Sequence, residues 1–407
     1  MPYTRADGAS RLPGLVRPAA EALRRAGPAW LTVVASLLLS LLGVYAIDVA
    51  ESVKPTVLPD LSPTALRQLL FVVVAIAASV AIALPNYRLF GYASWFLMAI
   101  GIALLVFLLV PFVPASIVRP RNGARGWIDL GPVDLQPSEL VKIAYVLVLA
   151  WYLRFRSNYR TFRGLLPPAI ITAIPVGLIT LQPDLGTSML FIPALFAVLV
   201  AAGAKLKHLV IIVLIAMMAA PAAYPLLKPH QKERIVGLLL QVEGDPRADL
   251  GINMQSVTAQ RVVGAGGIAG AGNERARTLL HFNALPERHT DMVFAVICTR
   301  FGLLGGLATL GLYLMWAVGA LLTSGLCREP FGRLVIVGLT GFLAAQVFVN
   351  VGMNVGILPI VGITLPYLSH GGSSMVMVWL MTGLVLNIAL RRPKLTLRTS
   401  FEYADDE

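Results

Sequence analysis

This chain of 407 residues is 57% hydrophobic and 13% charged, with a formal net charge of +12. Soluble domains contain roughly 45–50% apolar and about 25% charged residues, so the composition excludes an ordinary soluble protein and indicates a polytopic membrane protein. In a soluble protein such a charge would suggest a nucleic-acid partner. In a membrane protein, Lys and Arg gather on the cytoplasmic side, and we expect no nucleic acid.

The hydropathy pattern predicts an all-α fold with ten transmembrane helices. One transmembrane domain, residues 29–392, would lie between a cytoplasmic N-terminal tail, residues 1–28, and a cytoplasmic C-terminal tail, residues 393–407. The ten predicted spans are Ala29–Ile47, Leu66–Leu84, Leu89–Val110, Leu140–Leu153, Leu166–Leu181, Leu185–Ala202, Leu209–Leu227, Met292–Leu322, Leu334–Val351 and Ser374–Leu390.

The distribution of basic residues predicts the orientation in the membrane. Among the short loops, those on the side of the N-terminus carry most of the Lys and Arg residues, which places both termini inside. The long basic loop between helices seven and eight can lie outside, because long loops translocate largely regardless of charge. We therefore expect the function on the outer face, which receives four segments rich in Pro, Gly and polar residues: Asn122–Ser138, Gln182–Thr187, Lys228–Asp291 and Gly352–Ser373.

Three acidic residues, Glu139, Asp184 and Asp291, each stand near the outer start of a predicted helix. A helix N-terminus carries unpaired N–H groups and partial positive charge, so each residue could be a separate cap. Three acids at one depth also fit the rim of a shared site, which we favour. Lys142, one turn beyond Glu139 on the same helix face, is costly inside a membrane and is expected to pair with an acid or an anionic ligand.

The long outer loop carries further candidate groups, including Arg261 and Arg288. Its glycine-rich stretch, Gly264–Gly272, follows no predicted strand, so a nucleotide-binding fingerprint is rejected. This stretch could bring backbone N–H groups to phosphate oxygens, or it could be a flexible linker. No defined metal-ligand spacing appears among His281, Glu287, His289 and Asp291.

Polar residues also recur every four positions along span nine, at Gln346, Asn350 and Asn354. This stripe could bond to neighbouring helices or line a cavity.

Five motifs link the chain to a known family. They are Gly123–Ile128 (GARGWI), Gln136–Leu140 (QPSEL), Gln182–Thr187 (QPDLGT), Leu285–Asp291 (LPERHTD) and Gly362–Ser374 (GITLPYLSHGGSS). Through them the chain resembles the SEDS family (shape, elongation, division and sporulation) over nearly all of residues 29–392. The stretch Asn350–Pro359 is more similar to the RodA-type members than to the FtsW type.

The resemblance implies a peptidoglycan glycosyltransferase in the bacterial cytoplasmic membrane that polymerises lipid II on the outer face, for cell elongation and rod shape. It implies that Asp291 is the essential acid and that Glu139, Lys142 and Asp184 support activity. Arg261, Arg288, Ser369 and Ser373 are assigned to substrate binding or electrostatic support. The partners implied are lipid II, glycan linked to undecaprenyl pyrophosphate, and a class B penicillin-binding protein that acts as transpeptidase.

The expected reaction uses Asp291 as general base toward an acceptor sugar hydroxyl. Basic side chains would stabilise charge on the leaving pyrophosphate. A divalent cation, Mg²⁺ or Mn²⁺, is a candidate cofactor, and no organic cofactor is expected. The alternatives are a transporter (flippase) of lipid-linked precursors, a division enzyme of the FtsW type, and a scaffold. The sequence departs from the family at Thr299-Arg300, where paired acids are frequent, and at His370, where Tyr is usual.

Overall fold

The computed structural model describes residues 26–51, 61–114, 117–118, 125–131, 134–226 and 254–392, together with six residues between 232 and 243. The two predicted tails and the first part of the loop Lys228–Asp291 therefore lie largely outside the described residues. The helices are α1 (Ala29–Glu51), α2 (Pro63–Ala83), α3 (Tyr87–Leu109), α4 (Pro137–Leu153), α5 (Leu166–Leu181), α6 (Leu185–Met189), α7 (Phe191–Ala202), α8 (Leu206–Ala223), α9 (Met254–Gly266), α10 (Asn273–Phe282), α11 (Val293–Leu326), α12 (Pro330–Asn354) and α13 (Gly372–Arg391).

The helical content agrees with the predicted fold class, apart from one small hairpin. Strands β1 (Ile128–Asp129) and β2 (Asp134–Leu135) pair antiparallel immediately before α4. Short 3₁₀ turns lie at Asn158–Arg160, Arg163–Leu165 and Tyr224–Leu226. The six described residues between 232 and 243 are helical.

Within the described residues, eight helical segments are long and apolar enough to cross a membrane, so the chain is a multi-pass membrane protein. Two predicted spans are not among the eight. Helix α4 has 17 residues, about 25 Å, which is short for a membrane span. The apolar part of α8, Leu206–Met218, is shorter still. The count of ten therefore remains a prediction.

Helix α4 is nonetheless the centre of the bundle. Nearly every one of its side chains is buried, and it packs against α3, α5, α7, α12 and α13. A helix enclosed by protein on all sides must satisfy its polar side chains within the protein, because neither water nor lipid headgroups reach them. Glu139 and Lys142 lie on this helix, so their environment is set by neighbouring helices.

The long helix α11 is kinked at Gly302, which has φ 69° and ψ −165°. The break deprives the following N–H groups of their normal helical acceptors, and the glycine-rich stretch replaces them. Leu303 N donates to Gly267 O (2.9 Å), and Leu304 N donates to Ile268 O (3.2 Å). In return Ala271 N donates to Thr299 O (3.0 Å). Backbone groups of the stretch therefore stabilise the kink, which corrects the flexible-linker interpretation of Gly264–Gly272. Phosphate binding by the other N–H groups of the stretch stays a prediction.

Helix α10 is joined to α1 by a buried ion pair. Arg277 donates from Nη2 to Asp48 Oδ2 (2.8 Å) and from Nη1 to Asp48 O (3.1 Å). Arg277 is 1% exposed and Asp48 is 4% exposed. A pair shielded to this degree is screened little by salt, so it fixes the end of the long loop on the first helix.

Candidate active site

A segment without regular secondary structure, residues 361–365, lies between α12 and α13 at the centre of the site. A Cβ added to Gly186 would lie 2.6 Å from the carbonyl oxygen of Val361, and one added to Gly362 would lie 3.6 Å from Asp291 Oδ2. The start of α6 and the Asp291 carboxylate therefore both border this segment. It brings together two motifs that are more than 100 residues apart in the sequence.

Asp291 lies in a turn that precedes α11, and its side chain is partly exposed. The helix begins at Val293 and its N-cap is Met292, so Asp291 stands one residue before the cap position. The first-turn N–H of Ala295 donates instead to Asn354 Oδ1 (3.2 Å), which comes from α12. Asn354, on α12, therefore caps the N–H group of Ala295 at the start of α11. The capping interpretation had given this role to Asp291.

Three successive carbonyl groups of this turn are bound from the α12–α13 side. His289 O accepts from His370 N (2.8 Å), and Thr290 O accepts from Ser369 Oγ (2.6 Å). Asp291 O accepts from the side-chain amides of Asn350 (2.8 Å) and Asn354 (3.0 Å). The backbone beneath the carboxylate is therefore fixed before any substrate arrives.

Ser369 is 4% exposed, and its hydroxyl also accepts from Leu365 N (2.7 Å). Its hydrogen bonds join the Asp291 turn to the 361–365 segment. Ser373, at the start of α13, accepts from Gln136 N (3.2 Å) and so binds the motif that precedes α4. In this structure both predicted substrate residues connect elements of the site.

Glu139 and Lys142 form a buried ion pair. Lys142 Nζ donates to Glu139 Oε1 (2.7 Å) and to Gln346 Oε1 (3.2 Å). Lys142 is 1% exposed and Glu139 is 4% exposed. Gln346 Nε2 then donates to Thr364 O (2.9 Å), so the pair is tied to the 361–365 segment. The other carboxylate oxygen, Glu139 Oε2, has no hydrogen-bond partner among the described residues.

Asp184 caps the short helix α6, because its Oδ1 accepts from Thr187 N (2.9 Å). Burial raises the pKa of Asp184 above its usual range, and the hydrogen bonds from Thr187 and the charge of Lys142 oppose that shift. The nearby Glu139 carboxylate raises it further. Asp184 therefore interacts electrostatically with the buried ion pair, and a site that these residues share with Asp291 stays a prediction.

The arginine candidates lie on other elements. Arg261 is exposed on α9, whereas Arg288 is half-buried within the Asp291 turn. Sequence reasoning missed the pairing of His289 with His370, whose ring centroids are 6.1 Å apart. Burial, and then the charges of His289 and Arg67, lower the pKa of His370 to about 4. The one sequence signal for His370 was that it replaces a Tyr that is usual in the family.

The described residues contain no group of three or more His, Cys, Asp or Glu side chains that could hold a metal ion. A divalent-cation site built by the protein does not fit this part of the chain. The expected Mg²⁺ or Mn²⁺ therefore stays a prediction.

Comparison with known proteins assigns the family. A family model described as "Cell cycle protein", which covers FtsW, RodA and SpoVE, matches residues 29–394. Stage V sporulation protein E of Bacillus subtilis (strain 168) is 33% identical over 371 residues, covering 90% of this chain and 98% of that protein. Peptidoglycan glycosyltransferase MrdB of Escherichia coli (strain K12) is 35% identical over 285 residues, covering 68% of this chain and 73% of MrdB.

A solved structure gives the same result for the fold. The structure described as "Structural coordination of polymerization and crosslinking by a peptidoglycan synthase complex" matches with a TM-score of 0.74 and 30% identity, over 88% of this chain and 97% of that one. The chain therefore belongs to the FtsW, RodA and SpoVE family, the SEDS family whose motifs it carries. The predicted family and enzyme class, peptidoglycan glycosyltransferase, are confirmed.

Proposed function

We propose that this chain polymerises lipid II into glycan strands on the outer face of the cytoplasmic membrane, with Asp291 as the general base. The observation that carries this proposal is the Asp291 turn itself. Its backbone is bound at three successive carbonyls, while the residue itself is partly exposed and its carboxylate lies beside Gly362. Such an arrangement suits a base that must meet a substrate in one fixed position.

In the proposed reaction the hydroxyl of the acceptor sugar attacks the anomeric carbon at the reducing end of the growing chain. A new C–O bond forms between the sugars as the bond from the anomeric carbon to the pyrophosphate oxygen breaks. The hydroxyl proton passes to Asp291, and undecaprenyl pyrophosphate leaves with the bonding electrons. Arg288, half-buried in the same turn, would stabilise the negative charge that develops on the leaving pyrophosphate.

The outer location rests on the asymmetry of charge and aromatic residues between the two ends of α4. Its start carries Glu139. At its other end Arg154 lies over the Trp151 ring, 2.9 Å from the centroid, and Arg156 lies over Tyr152 at 4.2 Å. Lys and Arg gather on the cytoplasmic side of a membrane, whereas Trp and Tyr occur at both interfaces, so the two arginines indicate that this end of α4 lies inside. This supports the predicted orientation, with both termini inside and the large loop before α11 on the outer side.

We assign the chain to cell elongation rather than division, because residues 350–359 are more similar to the RodA type. We also propose a class B penicillin-binding protein as its partner. The solved structure that matches this chain comes from a complex in which polymerization is coordinated with crosslinking.

The test is to incubate purified protein, reconstituted in liposomes, with labelled lipid II and to separate the products on a gel. A polymerase gives a ladder of long glycan strands. A transporter, the alternative function, moves labelled lipid II between leaflets but leaves it monomeric. Monomeric lipid II after incubation with well-folded protein, both alone and together with the partner transpeptidase, would contradict the proposal.

A further inference from the structure

Two buried asparagines meet at the backbone of Asp291. Asn350 and Asn354 are both 0% exposed and lie one turn apart on α12. Their side-chain amides donate to the same acceptor, Asp291 O, at 2.8 and 3.0 Å. Two buried donors on one carbonyl are more than is needed to satisfy that carbonyl, because one hydrogen bond would suffice.

Each asparagine also binds a second part of the site. Asn350 Nδ2 donates to Ile363 O (2.6 Å), in the segment that faces the Asp291 carboxylate. Asn354 Oδ1 accepts from Ala295 N (3.2 Å), in the first turn of α11. The pair therefore fixes the peptide that carries Asp291 relative to both the helix that follows it and the segment opposite it.

The two asparagines also bind one another, because Asn354 Nδ2 donates to Asn350 O (2.9 Å) and lies 3.2 Å from Asn350 Oδ1. A buried amide network with its partners satisfied has one arrangement of lowest energy, and a displaced side chain leaves several polar groups unpaired. Such a network resists small displacements of the group that it holds. Full burial also excludes direct contact between either asparagine and a substrate in this structure.

We propose that Asn350 and Asn354 are positioning residues that set the place of the Asp291 carboxylate through its own backbone carbonyl. This inference rests on the proposed function, in which Asp291 is the general base. Because a misplacement of about 1 Å can cost roughly 10²-fold in rate, loss of these donors lowers kcat. It leaves KM nearly unchanged, since neither side chain touches the substrate.

The test uses Asn350→Leu and Asn354→Leu, which have nearly the same size and remove the polar amide without adding a charge near Asp291. Asn387→Leu is the matched control, because Asn387 also uses its Oδ1 as an acceptor, here from Arg391 Nη1 (3.0 Å). Asn387 is also 0% exposed, and its Nδ2 donates to two backbone carbonyls, Ile82 O (2.7 Å) and Pro85 O (2.8 Å), which lie in the connection between α2 and α3. The control therefore removes the same number and kind of bonds away from Asp291.

Initial rates of lipid II polymerisation and melting temperatures are measured for the three variants and for Asp291→Asn. We expect kcat to fall roughly 10- to 100-fold in the Asn350 and Asn354 variants, with KM within about twofold of the parent. The Asn387 variant keeps its kcat at a comparable loss of melting temperature. If all three variants lose rate only in proportion to their stability while Asp291→Asn is inactive, the positioning role is wrong and the proposed function stands. An active Asp291→Asn variant would overturn the proposed function itself.

Discussion

At the scale of single residues, the Glu139–Lys142 pair shows how strongly burial determines what an ion pair contributes to stability. Both side chains are almost fully buried, so either one left alone would be an unpaired charge in a medium of low dielectric constant. The exposed pair of Arg88 and Glu329 offers a comparison, because the Arg88 side chain is 52% exposed. Exposed ion pairs contribute little to stability, since water competes with the partner.

We therefore predict that Lys142→Met destabilises the protein by about 3–5 kcal/mol, because it leaves Glu139 buried and unpaired. The double variant Lys142→Met with Glu139→Gln recovers most of that loss, since no charge remains. Arg88→Met, the control, costs less than about 1 kcal/mol. Thermal unfolding in detergent measures all three. Equal losses for Lys142→Met and Arg88→Met would show that the buried pair has no special energetic role.

His370 makes stability depend on pH in a defined direction. Burial lowers its pKa to about 4 in the folded protein, whereas the unfolded chain titrates near the usual value of about 6.5. Between these two values the unfolded state binds more protons, so the folded state loses stability as pH falls from about 6.5 to about 4. Above this window His370 is neutral in both states and contributes no slope.

We predict that His370→Tyr flattens the dependence of melting temperature on pH between about 4.5 and 7. The variant introduces the residue that is usual in the family, so the turn should still fold. His208→Tyr is the comparison variant. His208 is a half-buried histidine on α8, and its ring lies near that of Phe162, which precedes α5. A pH dependence that survives unchanged in His370→Tyr would assign the slope to other groups.

At the scale of elements, the kink in α11 depends on Gly302. Its φ of 69° is unfavourable for any residue with a Cβ, and an added Cβ would lie 2.3 Å from Ile268 O. Gly311 lies in the same helix, and a Cβ there would meet nothing within 4 Å. A comparison of Ala substitutions at Gly302 and Gly311 therefore separates the effect of backbone strain and steric clash, expected only at Gly302, from the effect of helix propensity, expected at both.

We predict that Gly302→Ala lowers stability by more than about 2 kcal/mol and loosens α9 from α11, whereas Gly311→Ala leaves stability unchanged or raises it. Melting temperature and limited proteolysis near residues 264–272 measure these two effects. Tolerance of Ala at Gly302, with the proteolysis pattern unchanged, would mean that the kink does not depend on glycine.

The same elements show what the sequence could predict. Hydropathy located the long apolar helices, because burial in lipid requires a continuous apolar run. The positions of Asp291, Glu139 and Asp184 at predicted helix starts brought them into one hypothesis. The role of Gly264–Gly272 was beyond such reasoning, because the stretch acts through backbone groups that bond a distant helix. The four-residue spacing of Gln346, Asn350 and Asn354 could be recognised in the sequence. Their hydrogen-bond partners could not be predicted, because they belong to segments far away in the sequence.

At the scale of the whole molecule, the orientation in the membrane is open to direct measurement. In a Cys298→Ala, Cys327→Ala background, we predict that Ile268→Cys reacts with an impermeant thiol reagent in whole cells. Ile268 lies in the large loop and is 71% exposed. Phe155→Cys, 78% exposed in the predicted cytoplasmic loop after α4, should react only after the cells are opened. The reverse pattern would invert the topology.

The proposal as a whole depends most on the Asp291 carboxylate, and Asp291→Asn tests it most directly. Asn has nearly the same shape and accepts hydrogen bonds, but it cannot take up a proton at neutral pH. Asp129→Asn is the control, because Asp129 is also partly exposed and lies in the hairpin before α4. We predict that Asp291→Asn retains its melting temperature and loses roughly 10²–10⁴-fold in the rate of glycan polymerisation, while Asp129→Asn keeps near-normal rates. Near-normal polymer from Asp291→Asn would contradict the assignment.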